Sequence, residues 1–385
     1  MISTKLIIIE GLPGSGKSTI GQFIGLQLQR NNINVNWHGE GDLDHPTDFE
    51  YEAGFTEEEY LNFLDKYESY TTFLQTVVVK RSNKYFLKYL DINRKHKRVL
   101  KDEIYKEISR YDVYESIPER YMEFALERWE EFVAGVMQSD TITVLDSSLF
   151  QIPINQLMLN NINSNVIIDY ICKLQSIIEP LNPVIIYFYQ CNFEQAIKRA
   201  CTVKGEGWTN RVAKYIAETK YGKTRDLQGF DGMVIYFQSR KDIELELFMA
   251  SKFNKLAIDN SVGDWDSYRK EILDFLCLTY KEDTILPQNI LECIQGRYCN
   301  EECKAEFQFI IENGILMEGH GYMLIPKDNF TFYLEGTSTE LTFFSDTSGI
   351  FDKMVIGGKS SGFMYEVGTV FIKMMNKQKD EGVAK

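Results

Sequence analysis

Near its amino terminus, the chain has an apolar run that stops at a glycine-rich turn. Residues 6–9, LIII, are followed by Glu10 and then by GLPGSGKST, after which apolar residues recur at helical spacing. Short β-branched runs of this kind are typical of buried parallel strands, and glycine tolerates backbone angles that other residues avoid. The segment therefore predicts a strand, a tight loop and a helix, which restricts the chain to an α/β fold.

The glycine-rich loop fits the pattern G-x-x-x-x-G-K-S/T at every fixed position. Its backbone N–H groups and the helix N-terminus are expected to face an anion. Lys17 is the candidate for the β- and γ-phosphates of a nucleoside triphosphate, and Ser18 is the candidate ligand of Mg²⁺. A glycine turn that precedes a helix by chance is the alternative. The residues expected to hold the nucleotide are Gly11, Pro13, Gly14, Ser15, Gly16, Lys17, Ser18 and Thr19.

Further apolar runs alternate with helical patterns along the first part of the chain. Strands are expected at residues 5–10, 34–39, 141–146, 183–190 and 255–260. This alternation predicts a P-loop kinase-like domain over residues 1–282, in which a five-stranded parallel sheet has helices on both faces. Residues 51–139 are rich in Tyr, Phe, Leu, Glu and Lys at helical spacing, and they predict a large insertion of several helices.

The pattern changes after residues 284–287, where it becomes period-two and rich in turns. Asn313-Gly314 lies between two apolar runs and predicts a β-hairpin. We therefore expect a second, small domain over residues 288–375, formed by an antiparallel β-barrel or sheet.

Composition limits the partners and the compartment. The net charge of −14 argues against a nucleic-acid or membrane binder, whose surfaces are usually basic. The seven Cys are scattered without a CxxC motif, which favours reduced thiols over a metal site. The amino-terminal apolar run is too short for a signal peptide, and nothing approaches a span of about twenty apolar residues. We expect a cytoplasmic protein that binds neither nucleic acid nor membrane.

The phosphate loop does not by itself define a reaction. A Ras-type GTPase would carry an NKxD motif, and the nearest match, residues 254–257, reads NKLA. A mechanical ATPase usually ends its metal-binding strand in an acidic pair, whereas TITVLDSS contains Asp146 alone. Asp146 is expected to be a Mg²⁺ ligand or a helix N-cap. A phosphotransferase needs an acceptor pocket with a base, and mobile cations over the phosphates.

The acceptor side has candidates in NWHGEGDLDHPTDFE, which ends the second strand. In an open α/β sheet, ligands bind at the carboxyl ends of strands, and a carboxylate there can take a proton from a hydroxyl. Glu40 and Asp42 are equal candidates for this base, and Asp44 follows; an acidic surface loop is the alternative. Asp112 and Glu115 in the insertion are candidates for binding a polar or cationic acceptor, or they belong to a helical cap with its own aromatic core.

A cationic segment follows the fourth strand. Eight Lys and Arg residues lie between Lys198 and Arg225 in this acidic chain. Cations that close over a transferring phosphoryl group stabilise its charge and exclude water. We expect a lid over residues 198–230 with Arg199 and Arg211 as its catalytic cations, and a solvated basic helix face is the alternative.

Four features together resemble P-loop nucleoside and nucleotide kinases over residues 1–280: GLPGSGKS, EGDLDHP, VLDSSLF and the Arg-bearing segment. In deoxynucleoside kinases the acidic group after the second strand is the base, which implies Glu40 or Asp42. Those kinases also carry an acidic-Arg-Ser motif after the third strand. Here residues 146–148 read DSS, so the Arg is missing, which argues against a nucleoside acceptor. The chain is more similar to uncharacterised bacterial P-loop proteins with EGDLDHP, which look like small-molecule kinases. Antibiotic-modifying phosphotransferases share this layout, so the resemblance also implies antibiotic resistance.

Residues 288–372 resemble the small lipocalin-like β-barrel module appended to some β-lactamase-related hydrolases. The resemblance rests on GRY, NGIL, LIPKDNFTFY, LTFF and GIFDKMVI. In those proteins the module serves packing, substrate recognition or association.

We therefore expect an ATP- and Mg²⁺-dependent phosphotransferase that moves the γ-phosphoryl group to a hydroxyl of a nucleoside-like molecule, a sugar or an antibiotic. The alternative is an ATP-binding sensor or interaction protein with slow NTPase activity. The expected partners are ATP and the small-molecule acceptor. Self-association as a homodimer and the choice of ATP over GTP stay open.

Overall fold

The chain is divided into two units, Met1–Lys281 and Glu282–Lys385. The structure is a computed structural model that describes residues 3–96, 99–345, 349–362 and 364–374. Residues 97–98 of the expected insertion and residues 346–348, 363 and 375 of the expected β domain lie outside this described part.

The first unit consists of alternating strands and helices, with two short 3₁₀ turns at Glu68–Tyr70 and Glu179–Leu181. Its elements are, in chain order, β1 (Leu6–Gly11), α1 (Lys17–Arg30), β2 (Val35–His38), β3 (Glu52–Thr56), α2 (Glu57–Lys66), α3 (Thr71–Val77), β4 (Val79–Arg81), β5 (Lys84–Lys88), α4 (Tyr89–Lys95), α5 (Asp102–Ser109), α6 (Pro118–Met137), β6 (Ile142–Asp146), α7 (Gln151–Leu159), α8 (Ser164–Ile178), β7 (Val184–Tyr189), α9 (Phe193–Lys204), α10 (Glu206–Glu218), α11 (Lys220–Thr224), α12 (Gly229–Ala250), β8 (Asn254–Asp259) and α13 (Trp265–Phe275).

A five-stranded parallel sheet forms the centre of this unit, in the order β2-β6-β1-β7-β8. Every residue of β1 is buried, and its side chains alternate between two apolar cores. Leu6 and Ile8 join the core that contains residues of α6, α7, α8 and α12, whereas Ile7 and Ile9 join the core that contains residues of α1 and α13. The predicted parallel sheet with helices on both faces is confirmed.

The insertion between β2 and β6 is not entirely helical. It contains a three-stranded antiparallel sheet, in the order β3-β5-β4, besides helices α2 to α6. A two-residue turn at Ser82-Asn83 joins β4 to β5, and Ser82 has φ 50°. Ser-Asn is a weaker hairpin signal than Asn-Gly. The helical spacing of the surrounding residues therefore predicted helices, and the hairpin was missed.

The second unit is a nearly closed, barrel-like sheet of eight antiparallel strands, preceded by helix α14 (Gln288–Ile294). The strands are β9 (Gly296–Asn300), β10 (Ala305–Glu312), β11 (Ile315–Glu318), β12 (Leu324–Pro326), β13 (Thr331–Leu334), β14 (Thr339–Ser345), β15 (Phe351–Gly358) and β16 (Val370–Lys373). Their order is β11-β10-β9-β16-β15-β14-β13-β12, and an isolated bridge between Met317 and Met323 connects the two edges. Asn313 and Gly314 both have positive φ, which confirms the predicted hairpin.

In the described part of the chain, no helix combines the length and the apolar character required to cross a membrane.

Candidate functional site

The phosphate loop lies at the point where the connections of the sheet diverge. After β1 the chain continues to β2 on one side of the sheet, and after the adjacent β7 it continues to β8 on the other side. Crevices of this kind, at the carboxyl ends of strands, are where open α/β sheets bind ligands. The site is therefore placed by the sheet topology as well as by the loop sequence.

The loop presents backbone donors that no side chain occupies. Helix α1 starts at Lys17 with Gly16 as its N-cap, and among the described residues no side chain caps this end. The hydroxyl of Ser15 is buried and has no hydrogen-bond partner in the described chain. Uncapped N–H groups and an orphaned buried hydroxyl around one loop fit a bound phosphate group.

Two loop glycines are required by their neighbours. At Gly16, with φ 85°, an added Cβ would lie 2.3 Å from a ring carbon of Trp265 on α13. At Gly14, with φ 77°, it would lie 2.8 Å from the Cβ of Ala200 on α9. From the end of β8, Asn260 donates a hydrogen bond from its side chain to the Ser15 carbonyl at 2.6 Å. These contacts hold the loop in its open, left-handed turns.

Lys17, Ser18 and Asp146 form the charged centre of the loop. Lys17 is buried, and its Nζ donates to the Leu12 carbonyl at 3.1 Å. Ser18 Oγ donates to Asp146 Oδ2 at 2.5 Å, and Ser147 Oγ donates to Oδ1 at 2.7 Å. Burial raises the pKa of Asp146, and the nearby Lys17 ammonium opposes this rise. A hydroxyl backed by a carboxylate is an oxygen donor set that fits Mg²⁺.

Glu10 positions the turn that follows β6. Its carboxylate accepts backbone N–H bonds from Leu149, Phe150 and Gln151 at 2.7, 2.8 and 3.2 Å. Burial raises the pKa of Glu10 to about 8, against the lowering effect of these donors. The three N–H bonds to Glu10 therefore cap the start of α7 from strand β1. In the same turn, Ser147 has φ 64°, a conformation that a non-glycine residue adopts at a cost.

A cleft of about 250 Å³ opens over the loop. Its lining combines loop residues with Glu40 from the segment after β2, Gln151 from the start of α7, and Lys204 and Trp208 from the predicted lid. Within the described chain its lining is Pro13, Gly14, Gly16, Lys17, Ser18, Thr19, Glu40, Gln151, Lys204 and Trp208.

The three acidic candidates after β2 have different surroundings. Glu40 is exposed to the cleft, and its Oε1 accepts a hydrogen bond from Gln151 Nε2 at 2.9 Å. Asp42 is 3% exposed, and its Oδ2 accepts the Gly39 N–H at 3.0 Å. Asp44 is exposed. One carboxylate oxygen of Asp44, one carboxylate oxygen of Asp42 and one ring nitrogen of His38 lie within 4.8 Å of one another. Among the described residues that line the cleft, Glu40 is present, whereas Asp42 and Asp44 are not.

Further carboxylates lie in the segments between β2 and α6. Burial raises the pKa of Asp48 to about 6, and it raises the pKa of Glu50 to about 7 with added repulsion from Asp48, Asp112 and Glu40. Asp112 is buried and accepts hydrogen bonds from the Tyr89 hydroxyl at 2.7 Å and the Tyr114 N–H at 2.8 Å. Burial also raises the pKa of Asp112. Glu115 is exposed and lies with Asp112 in the non-helical segment between α5 and α6. Asp112 and Glu115 are not among the described residues that line the cleft.

The lid segment contributes a different cation from the two predicted ones. Helix α9 ends at Lys204, and Gly205, with φ 83°, separates it from α10. Lys204 and Trp208, on either side of this glycine, line the cleft, and Lys204 Nζ lies 5.6 Å from the Trp208 ring. Arg199 Nη1 instead donates to the Ser261 carbonyl at 3.1 Å, and Arg211 is exposed on α10. Neither Arg is among the described cleft residues.

Sequence reasoning singled out neither Gln151 nor Trp208. Gln151 follows DSSLF directly, and Trp208 follows the Lys204-Gly205 break, so both adjoin segments that the motifs had marked. Nothing in their spacing indicated that these two side chains reach the phosphate loop.

No protein-family model matches the chain, and no curated protein was found to be similar to it. Among solved structures, an apo-form GTPase from Pyrococcus abyssi shares 13% identity, with 70% of this chain and 98% of that chain covered. The TM-score of this match is 0.23, which is too low to show a shared fold. The strand, the glycine loop and the helix have the arrangement that the P-loop sequence pattern predicts.

Proposed function

We propose that the chain is a Mg²⁺-dependent phosphotransferase that moves the γ-phosphoryl group of ATP to a hydroxyl of a small molecule. The observation that carries this proposal is the composition of one cleft of about 250 Å³. Lys17 and Ser18, the carboxylate of Glu40 and the ammonium-bearing Lys204 all line it. Phosphoryl transfer needs phosphate-binding cations, a hydroxyl for the metal and a base for the acceptor around one cavity.

Each residue has a defined role in this proposal. The loop N–H groups and Lys17 bind the β- and γ-phosphates, and Lys204 covers them from the lid side. Ser18 and Asp146 would hold Mg²⁺, which supplies charge neutralisation on the phosphate oxygens when bound. Glu40 accepts the proton of the acceptor hydroxyl, because it is the carboxylate among the described residues that line the cleft.

The size of the cleft favours a small acceptor over a macromolecule. Together with the resemblance to antibiotic-modifying phosphotransferases, it supports a sugar-like or antibiotic hydroxyl. We place the whole reaction in the first unit, and we place the protein in the cytoplasm, where ATP is available and thiols stay reduced.

The proposal is tested by incubating the full chain with Mg-ATP and a mixture of metabolites and antibiotics. Mass spectrometry should detect one compound that gains about 80 Da, the mass of one phosphoryl group. Lys17→Ala should abolish this gain while the thermal unfolding profile is retained. An equal gain with Lys17→Ala would refute the assignment of the loop. Phosphate release without any phosphorylated acceptor would refute the transferase and favour the sensor.

A further inference from the structure

The side-chain amide of Gln151 lies between a buried guanidinium and the cleft carboxylate. Its Nε2 donates to Glu40 Oε1 at 2.9 Å, and its Oε1 lies 3.5 Å from Arg240 Nη2. A guanidinium has only donors and a carboxylate has only acceptors, so both neighbours require the same orientation of the amide. The oxygen of Gln151 therefore faces Arg240, and its N–H groups face Glu40.

Arg240 is held firmly by other buried groups. Its Nε lies 2.8 Å from Glu244 Oε1, and both side chains are almost completely buried. Its Nη1 donates to Asn155 Oδ1 at 3.1 Å, and its Nη2 lies 3.4 Å from the Gly11 carbonyl. Glu244 also accepts a hydrogen bond from the Tyr187 hydroxyl at 2.9 Å. Turning the guanidinium away from Gln151 would disturb a buried ion pair, so Arg240 is a rigid support.

The backbone of Gln151 is fixed as well. It is the first residue of α7, it is buried, and its N–H donates to Glu10 Oε2 at 3.2 Å. Gln151 thus connects two buried groups behind the phosphate loop, Glu10 and Arg240, with the exposed carboxylate of Glu40. Without this connection, an exposed glutamate would sample several rotamers.

We propose that Gln151 is a positioning residue that holds the Glu40 carboxylate toward the acceptor hydroxyl. This inference rests on the proposed function. In the transfer, the hydroxyl proton passes to Glu40, and the acceptor oxygen forms a bond to the γ-phosphorus. The bond from that phosphorus to the β–γ bridging oxygen breaks, and ADP leaves. Because Oε1 accepts the Gln151 bond, Oε2 is the oxygen directed to take the proton.

A double-mutant cycle on the full chain tests this role, with water as the acceptor and phosphate release from Mg-ATP as the signal. Gln151→Met removes both polar groups and keeps a similar length, and it should slow phosphate release by about tenfold. In the Glu40→Gln background, the same substitution should change the rate by less than about twofold, since there is no base left to position. The dissociation constant of Mg-ATP should change by less than about twofold in all variants.

Gln156→Met is the matched control, because Gln156 lies on the same helix and donates its amide N–H to the Tyr114 carbonyl instead. It should show no coupling to Glu40→Gln. An equal slowing by Gln151→Met in both backgrounds would mean a structural role and would overturn the inference, as would a wild-type rate. If Glu40→Gln alone keeps the full rate, the proposed base is wrong and the positioning role falls with it.

If Gln151→Met does not fold, Gln151→Leu repeats the cycle without the amide and without an added charge. That variant offers Glu40 no donor and Arg240 no acceptor. The same tenfold loss in the native background and the same absence of loss in Glu40→Gln are expected.

Discussion

Replacement of Glu50 by glutamine should stabilise the protein at pH 8 and leave its stability nearly unchanged at pH 5. Burial is the main reason that the pKa of Glu50 rises from its ordinary 4.5 to about 7, and Asp48, Asp112 and Glu40 add repulsion. The pKa of Glu50 is higher in the folded state than in the unfolded chain, so folding favours the neutral carboxyl. The stability that depends on this neutral form is complete below pH 4.5. It is lost as the pH rises through 7, because Glu50 then ionises in the folded protein.

The magnitude follows from the two pKa values. The difference between 4.5 and about 7 corresponds to roughly 3 kcal/mol of unfolding free energy at pH 8 if it were fully expressed. Glu50 is partly exposed, so solvent screening is expected to reduce this to about 1.5 kcal/mol. Glutamine stays neutral and does not incur this cost. At pH 5 the folded wild-type protein holds Glu50 mostly protonated, so the two proteins should differ by less than about 0.5 kcal/mol.

Thermal unfolding of both proteins at pH 5 and pH 8 provides the assay. For a unit of this size, about 1.5 kcal/mol corresponds to a rise in Tm of roughly 3 °C at pH 8. Glu130→Gln is the control, because Glu130 is exposed in the middle of α6, and its substitution should not alter Tm measurably at either pH. An unchanged or lower Tm of Glu50→Gln at pH 8 would refute the reasoning. An equal rise at both pH values would show that charge is not its origin.

Three further predictions concern the cleft. Asp146→Asn keeps the shape behind Ser18 but removes the charge, so about tenfold more Mg²⁺ should be needed for half-maximal phosphate release from ATP. Gly16→Ala would force a Cβ to within 2.3 Å of the Trp265 ring at a positive φ, and it should lower stability by about 2 kcal/mol in urea unfolding. Lys204→Ala removes the lid cation and should weaken ATP binding by about fivefold in a titration, with less effect on ADP.

Matched substitutions separate these effects from general damage. Gly229→Ala places alanine at φ 56° in open space, so it should cost less than Gly16→Ala; an equal loss would contradict the ring contact as the cause. Lys198→Ala removes an exposed cation paired with Glu194, and it should leave ATP binding unchanged. Wild-type ATP affinity in Lys204→Ala, or an unaltered Mg²⁺ requirement in Asp146→Asn, would contradict the assigned roles.

Local patterns were sufficient to predict the framework. The burial of β1 on both faces, the glycine turn and the helix that follows it all follow from short-range sequence signals. The hairpin at Asn313-Gly314 does as well, because two consecutive positive φ angles favour that dipeptide strongly. The antiparallel sheet in the insertion was missed, since its Ser-Asn turn is a weak signal inside a helical pattern.

Helix α9, in the segment predicted to form a lid, shows why side-chain direction cannot be predicted from sequence patterns. Arg199 and Lys204 belong to the same helix, yet Arg199 donates to the Ser261 carbonyl and Lys204 lines the cleft. Which residue lines the cleft depends on where α9 ends, before Gly205, and on how α9 packs, through Ala200, against the loop. Both are tertiary properties that composition and spacing do not contain.

Glu10 and Glu40 mark the same division. By itself, the sequence determined that a phosphate loop follows β1 and that several carboxylates follow β2, because strand and loop patterns are local. Only the tertiary structure decided that Glu10 holds the turn before α7. It also gave Glu40 and Asp42 different surroundings, since Asp42 bonds the backbone of its own loop, whereas Glu40 lines the cleft and bonds Gln151. Contacts between residues more than a hundred positions apart are set by packing, and no short stretch of sequence encodes them.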